Sequence, residues 1–184
     1  MTNAEGNRAV FLDRDGTIME DTSSLGDVER VVLIPSAAVA LRRLRDAGYK
    51  LFIITNQSGI GRGYFPREVV EQIHAHLDEQ FGKAGVQFDR YYVCPHHPED
   101  NCDCRKPKPK FLLDAAREYG LDLGRCFMVG DRASDIGAGV NAGVKTILVL
   151  TGAGQETLTK NETKPDHVAG DIAEAVEWIL RQTS

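Results

Sequence analysis

The sequence predicts an α/β protein built on a parallel sheet, and three observations predict it. Short apolar runs of strand length recur along the chain, helix-length stretches separate them, and several runs end in a reactive polar side chain. Apolar side chains at nearly every position mark strands covered on both faces, as parallel strands flanked by helices are. Ala9-Val10-Phe11-Leu12 is the first such run; Leu51-Phe52-Ile53-Ile54, Tyr91-Tyr92-Val93, Cys126-Phe127-Met128-Val129 and Thr146 to Leu150 follow. Between the first two, Pro35 to Ala47 reads as a helix closed by Gly48, since glycine suits the turn out of a helix. Pro66 to Phe81 reads as a second helix, with proline at the start where a missing N–H costs nothing. A third helix runs from beyond Pro109 to about Tyr119, before Gly120. Ile172, Ala175, Val176, Ile179 and Leu180 fall on one face of a last helix. Gly152 to Lys164 is polar and reads as a mobile loop.

The bulk properties narrow the function classes. A chain of 184 residues suits one domain over 1–184, with 42% hydrophobic and 27% charged residues. That balance excludes a disordered chain. The longest apolar runs fall far below the roughly 18 residues of a spanning helix, so no membrane partner is expected. Met1 to Arg8 is polar and lacks the apolar core of a secretory signal, which points to the cytoplasm. A net charge of -5 disfavours nucleic acid as a partner. A small metabolite and a monomeric state are the expectation.

Three polar groups end strands: Asp13 after Leu12, Thr55 after Ile54, and Asp131 beyond Val129-Gly130. Ligands of open α/β sheets bind at the carboxyl ends of the strands, so these groups are expected to converge. Asp13-Arg14-Asp15-Gly16-Thr17 sets two carboxylates two residues apart where the chain must turn. One can attack phosphorus while the other moves protons, because an ionised Asp forms an acyl-phosphate that water later cleaves. Paired carboxylates and an anionic substrate repel one another; Mg²⁺, which takes one or two carboxylates plus phosphate and water oxygens, removes that repulsion. Asp131 is the further oxygen ligand. Lys106, before a predicted helix, offers a cation to the transferring phosphoryl group, and Thr55 a hydroxyl donor. Asp-x-Asp-Gly alone is an ordinary turn, and a lone Lys is usually a solvated charge; four elements in order are far more specific.

These residues resemble the haloacid dehalogenase superfamily of phosphatases. The match runs through Asp13-x-Asp15-Gly16-Thr17, Thr55-Asn56-Gln57, Arg105-Lys106-Pro107 and Gly130-Asp131-Arg132-x-x-Asp135, across roughly residues 9 to 151. The resemblance implies a three-layer, Rossmann-like parallel sheet with Asp13 as nucleophile and Asp15 as general acid and base. It implies Thr55 and Lys106 as phosphoryl stabilisers. Magnesium would be held by Asp13, the Asp15 backbone carbonyl and Asp131, with Asp135 behind them holding a bound water or orienting Lys106. Only about 40 residues separate Thr17 from Thr55, and a helix and a strand use most of them, so no separate cap domain fits. Met19 to Asp27 and the segment 94–104 are left to act as a small lid. The substrate rim is expected at Asp21, Thr22, Ser23, Ser24, Asn56, Gln57, Ser58, Arg105 and Arg132.

Cys94-Pro95-His96-His97 and Cys102-Asp103-Cys104 place three thiols and an imidazole within eleven residues, a set that suits tetrahedral Zn²⁺. Three reduced, partly buried thiols are the alternative. The loop resembles the zinc loop of the heptose-bisphosphate phosphatases and of the related histidinol-phosphate phosphatases. That resemblance implies a structural zinc on Cys94, His96, Cys102 and Cys104, holding Arg105 and Lys106 at the mouth of the site. Thr55 to Gly63 is more similar to the heptose group, which implies removal of the 7-phosphate of D-glycero-D-manno-heptose 1,7-bisphosphate. The Asp21 to Val28 segment departs from the Gly-Tyr-containing loop of that group. Histidinol-phosphate hydrolysis is the alternative, followed by a polynucleotide 3′-phosphatase and a noncatalytic zinc-binding module.

Overall fold

The computed structural model describes residues 7–21 and 28–182. Six parallel strands form one sheet in the order β3-β2-β1-β4-β5-β6: β1 Ala9–Leu12, β2 Lys50–Asn56, β3 Arg90–Cys94, β4 Phe127–Gly130, β5 Lys145–Val149 and β6 His167–Ala169. Among the described residues seven α-helices connect or follow them: α1 Ala37–Asp46, the single turn α2 Ser58–Gly61, α3 Arg67–Gly82, α4 Lys110–Tyr119, α5 Ala133–Ala142, α6 Gly154–Lys160 and α7 Ile172–Arg181. Among the described residues no helix is long and apolar enough to cross a membrane.

The alternation of side chains along β1 explains the three layers. Val10 and Leu12 point to one face, where they join residues of α1, α3 and α7 such as Leu41, Leu77 and Val176. Ala9 and Phe11 point to the other, against Leu112 of α4 and Ala138 of α5. Both faces are covered, so all four residues are buried and the strand reads as continuously apolar. Among the described residues no cap domain is inserted between β1 and β2 or between β2 and β3.

The order places β1 between β2 and β4, where successive connections run outward in opposite directions. Such a switch point opens a crevice at the carboxyl ends of the two central strands. Asp13 leaves β1 there and Asp131 leaves β4, while Thr55 lies near the end of β2.

The structure departs from the sequence expectation in several places. β6 has only three residues, too short for a periodic signal. α5 carries Gly137 and Gly139, which dilute its helical pattern. Both are there for close approach: a Cβ on Gly139 would sit 2.5 Å from Thr146 Cγ2, and one on Gly137 would sit 2.7 Å from Pro107 Cβ. The expected mobile loop holds α6 instead. Met19, expected in the lid, is fully buried in the core and bridges to Leu33. Of the expected lid and rim, residues 22–27, with Thr22, Ser23 and Ser24 among them, lie outside the described residues.

Candidate active site

Asp13 lies at the base of a cleft of about 240 Å³ at the switch point. Its Oδ1 accepts a hydrogen bond from Lys106 Nζ at 2.7 Å. The same ammonium donates to the Ile54 carbonyl at 2.7 Å and is ion-paired with Asp135 Oδ1 at 2.6 Å, so two of its protons have hydrogen-bond acceptors and its charge is shared between two carboxylates. Lys106 is 3% exposed. Burial alone lowers its pKa, but Asp13 and Asp135 outweigh that and hold it above the usual lysine range. Its backbone is clamped from β2: the Asn56 amide donates to the Lys106 carbonyl at 3.2 Å and accepts from the Lys106 N–H at 3.1 Å. Asn56, expected at the substrate rim, thus spends both amide atoms on positioning the lysine.

Asp13, Asp131 and Asp135 bring carboxylate oxygens within 4.8 Å of one another. Like charges so close in a buried site oppose ionisation. The Asp13 pKa is raised well above the usual carboxylate value by burial and then by Asp135, against the pull of Lys106. Asp131 is pushed up to about 6, chiefly by burial and Asp135, although the Ala153 N–H partly offsets this. That N–H reaches Asp131 Oδ2 at 2.7 Å, whereas the buried Oδ1 has no hydrogen-bond partner. An excess of buried carboxylate with an unpartnered oxygen is a donor set fit for a hard divalent cation. Asp15 contributes no side-chain oxygen to this cluster. Its carboxylate turns instead toward Arg14 and Gln57, whose Nε2 donates both to Asp15 Oδ2 at 2.8 Å and to Thr55 Oγ1 at 2.7 Å. Thr55 Oγ1 accepts that bond and keeps its own proton free to donate into the cleft.

Gly16 makes the arrangement possible. Its φ of +82° is a left-handed turn, and a Cβ there would stand 2.3 Å from Asp131 Oδ2. β1 and β4 could not present Asp13 and Asp131 to one ion with a larger residue at this position.

A second cluster forms beside the cleft. Ligand atoms of Cys94, His96, Cys102 and Cys104 lie within 4.8 Å of one another, and all three cysteines are free thiols. Cys94 Sγ is 3.6 Å from Cys102 Sγ, and His96 Nδ1 is 3.7 Å from Cys94 Sγ and 3.3 Å from Cys104 Sγ. Tetrahedral bonds of 2.0–2.3 Å set ligands roughly 3.3–3.8 Å apart, so the spacing fits one ion. His97 turns away and accepts from the Glu99 N–H at 3.2 Å. A Cβ on Gly61 would lie 2.4 Å from the His97 nitrogen, so α2 rests directly on this loop. At the rim, Arg132 Nη2 pairs with Asp21 Oδ2 at 2.7 Å, and Ser58 and Arg105 line the wall.

A HAD-hydrolase-like family model matches residues 103–175. Over 177 residues the chain is 41% identical to D-glycero-beta-D-manno-heptose-1,7-bisphosphate 7-phosphatase of Helicobacter pylori (strain J99), covering 94% of this chain and 97% of that protein. The chain belongs to the haloacid dehalogenase superfamily of phosphatases. This phosphatase is 38% identical over 173 residues to the Pseudomonas aeruginosa protein of the same name, covering 94% and 97% of the two. It also resembles the D,D-heptose 1,7-bisphosphate phosphatase from B. bronchiseptica, whose crystal structure contains magnesium and phosphate. There the TM-score is 0.90 at 33% identity, with 95% of this chain and 99% of that one covered.

The structure of the phosphatase brings together every described residue expected at its cleft except Asp131, which lies fully buried beneath the wall. Sequence reasoning missed Arg14, Gly59, Phe65, Ile73 and Ser134, which also line it. Arg14 and Ser134 sit inside motifs already noted and could have been flagged by position. Phe65 and Ile73 carry no local signal; Ile73 reaches the cleft from α3, and Phe65 from the turn before it, where its ring lies against Gly59.

Proposed function

We propose that this phosphatase is a magnesium-dependent phosphomonoesterase that works through an aspartyl-phosphate on Asp13. The observation carrying the proposal is Asp13 itself, a buried carboxylate facing the cleft and oriented at 2.7 Å by the Lys106 ammonium. Asp13 attacks phosphorus as the bond to the leaving oxygen breaks, and Asp15 gives that oxygen its proton. Asp15 then takes a proton from water as the water oxygen attacks the phosphorus, releasing phosphate and restoring Asp13. Lys106 and the Thr55 hydroxyl stabilise charge on the phosphoryl oxygens. Asp13, Asp131 and the Asp15 carbonyl would hold the magnesium, which supplies charge neutralisation to both carboxylates and phosphate.

The substrate proposed is D-glycero-D-manno-heptose 1,7-bisphosphate, with the 7-phosphate removed. Support comes from the relatives, and from Arg105, whose Nη1 is buried at the cleft without a hydrogen-bond partner. A second phosphate on the substrate would supply that partner. Structural zinc on Cys94, His96, Cys102 and Cys104 is proposed from the ligand spacing; four protein ligands leave no open coordination position. The loop they form runs directly into Arg105 and Lys106. Residues 1–184 are read as one domain acting as a monomer in the cytoplasm, in keeping with reduced thiols at a metal site.

Acid-quenching the enzyme with labelled substrate should trap one phosphoryl group per chain. Asp13→Asn should trap none and lose at least about 10⁴-fold in turnover. Retained turnover in that variant would exclude the nucleophile assignment. Comparing kcat/KM for both heptose-bisphosphate anomers, histidinol phosphate and a 3′-phosphorylated oligonucleotide tests the substrate. A preference above about tenfold for either of the last two would overturn it.

A further inference from the structure

Arg14 separates the two reacting aspartates, yet it is 3% exposed and points into the protein. Its Nε is 3.1 Å from Asp15 Oδ2, and its Nη2 lies 3.1 Å from Oδ1 and 3.0 Å from Oδ2. The remaining nitrogen, Nη1, is turned the other way and lies 3.2 Å from His74 Nε2. His74 comes from the buried face of α3. Its ring stacks on Tyr91 of β3 at 4.1 Å between centroids and 18° between planes. Tyr91 in turn donates its hydroxyl proton to Asp78 Oδ1 at 2.8 Å, one turn further along α3.

The chemistry of this contact admits one arrangement. A guanidinium only donates, so His74 Nε2 must offer a lone pair and its proton must sit on Nδ1. Burial and the neighbouring Arg14 charge both hold the ring neutral, with a pKa lowered to about 3. His74 does not line the cleft.

We propose that His74 is a positioning residue for the reaction: it anchors Arg14 through Nε2, and Arg14 fixes the orientation of the Asp15 carboxylate. The anchoring decides which oxygen carries the transferable proton. Arg14 occupies the edge of the carboxylate, and Gln57 takes the remaining lone pair of Oδ2. The outer lone pair of Oδ1 is then the one free to hold a proton facing the leaving group. Without the acceptor at His74, the long Arg14 side chain loses its far contact and Asp15 its fixed rotamer.

The inference rests on the acid and base role of Asp15 proposed above, and two replacements separate hydrogen bonding from packing. His74→Gln keeps an acceptor and loses the ring; His74→Phe keeps the ring that stacks on Tyr91 and loses the acceptor. The readout is kcat/KM, which reports formation of the phosphoenzyme, for an alkyl phosphomonoester and for p-nitrophenyl phosphate, whose leaving group needs no proton. H74F should lose about tenfold on the alkyl substrate and less than about twofold on the aryl one, while H74Q stays within about threefold of the parent on both. Equal losses on both substrates in H74F, an unchanged H74F, or an H74Q as impaired as H74F would overturn the proposal. Should H74F not fold, His74→Met, with similar volume and no nitrogen acceptor, is read by the same criteria. Asp15→Asn, assayed in parallel, distinguishes the two levels. If it too shows no difference between leaving groups, the role of Asp15 fails; if it shows one and H74F does not, only the role of His74 fails.

Discussion

Lowering the pH should expose His74 as a site of acid sensitivity. In the unfolded chain an imidazole titrates at its ordinary 6.5, whereas in the fold burial and then Arg14 lower the His74 value to about 3. Between these values the unfolded state binds a proton that the native state refuses. Stability is therefore fully present above pH 6.5 and is lost as the pH falls toward 3. At pH 5, which is 1.5 units below 6.5, the loss at 1.36 kcal/mol per unit is about 2 kcal/mol. The native value lies far enough below pH 5 that no part of this is recovered. The assay is urea unfolding of the parent and of His74→Phe at pH 7 and pH 5 with metal content held fixed. Other titrating groups are common to both proteins and cancel in the difference, which should shift by about 2 kcal/mol in favour of H74F at pH 5. A difference that is the same at both pH values would overturn this assignment, because it would mean that His74 takes up a proton as readily in the fold as in the unfolded chain and that its Nε2 lone pair is not committed to Arg14.

Three further outcomes follow from the site. Lys106→Met, measured without added metal, should destabilise the fold by about 3–5 kcal/mol at pH 7, since it strands the buried Asp13 and Asp135 carboxylates; urea unfolding reads this, and magnesium should restore part of it. Gly16→Ala must displace Asp131 and strain a φ of +82°, so the magnesium concentration for half-maximal activity should rise roughly tenfold. Gently purified protein should contain one zinc per chain, and a strong chelator should release it with a drop in thermal midpoint and in activity at saturating magnesium. Absence of zinc would remove the structural metal from the account.

Local motifs made the candidate chemistry and most of the frame legible before any tertiary contact was known. Continuous apolar runs announced strands buried on both faces, and Gly48, Pro66 and Gly120 marked helix ends that the structure places within a residue or two. Asp13, Thr55 and Lys106 were legible because each motif is local: a reactive residue next to a strand end or a turn. Which partners these residues meet depends on the packed fold. Lys106 reaches Asp13 across 93 positions and Asn56 across 50, and no spacing rule encodes those meetings. The polar stretch after Gly152 looked mobile because it lacks periodicity. Instead it folds over Asp131, donating the Ala153 N–H to Oδ2 and the Thr157 hydroxyl to the backbone carbonyl. His74 looked like one more helical position. It gains meaning only when α3 lies beside β1 and brings its lone pair to Arg14. Local sequence specifies which groups can react, because reactivity belongs to side chains. Their orientation and charge state belong to burial and neighbours, which exist only after the sheet and its helices have packed.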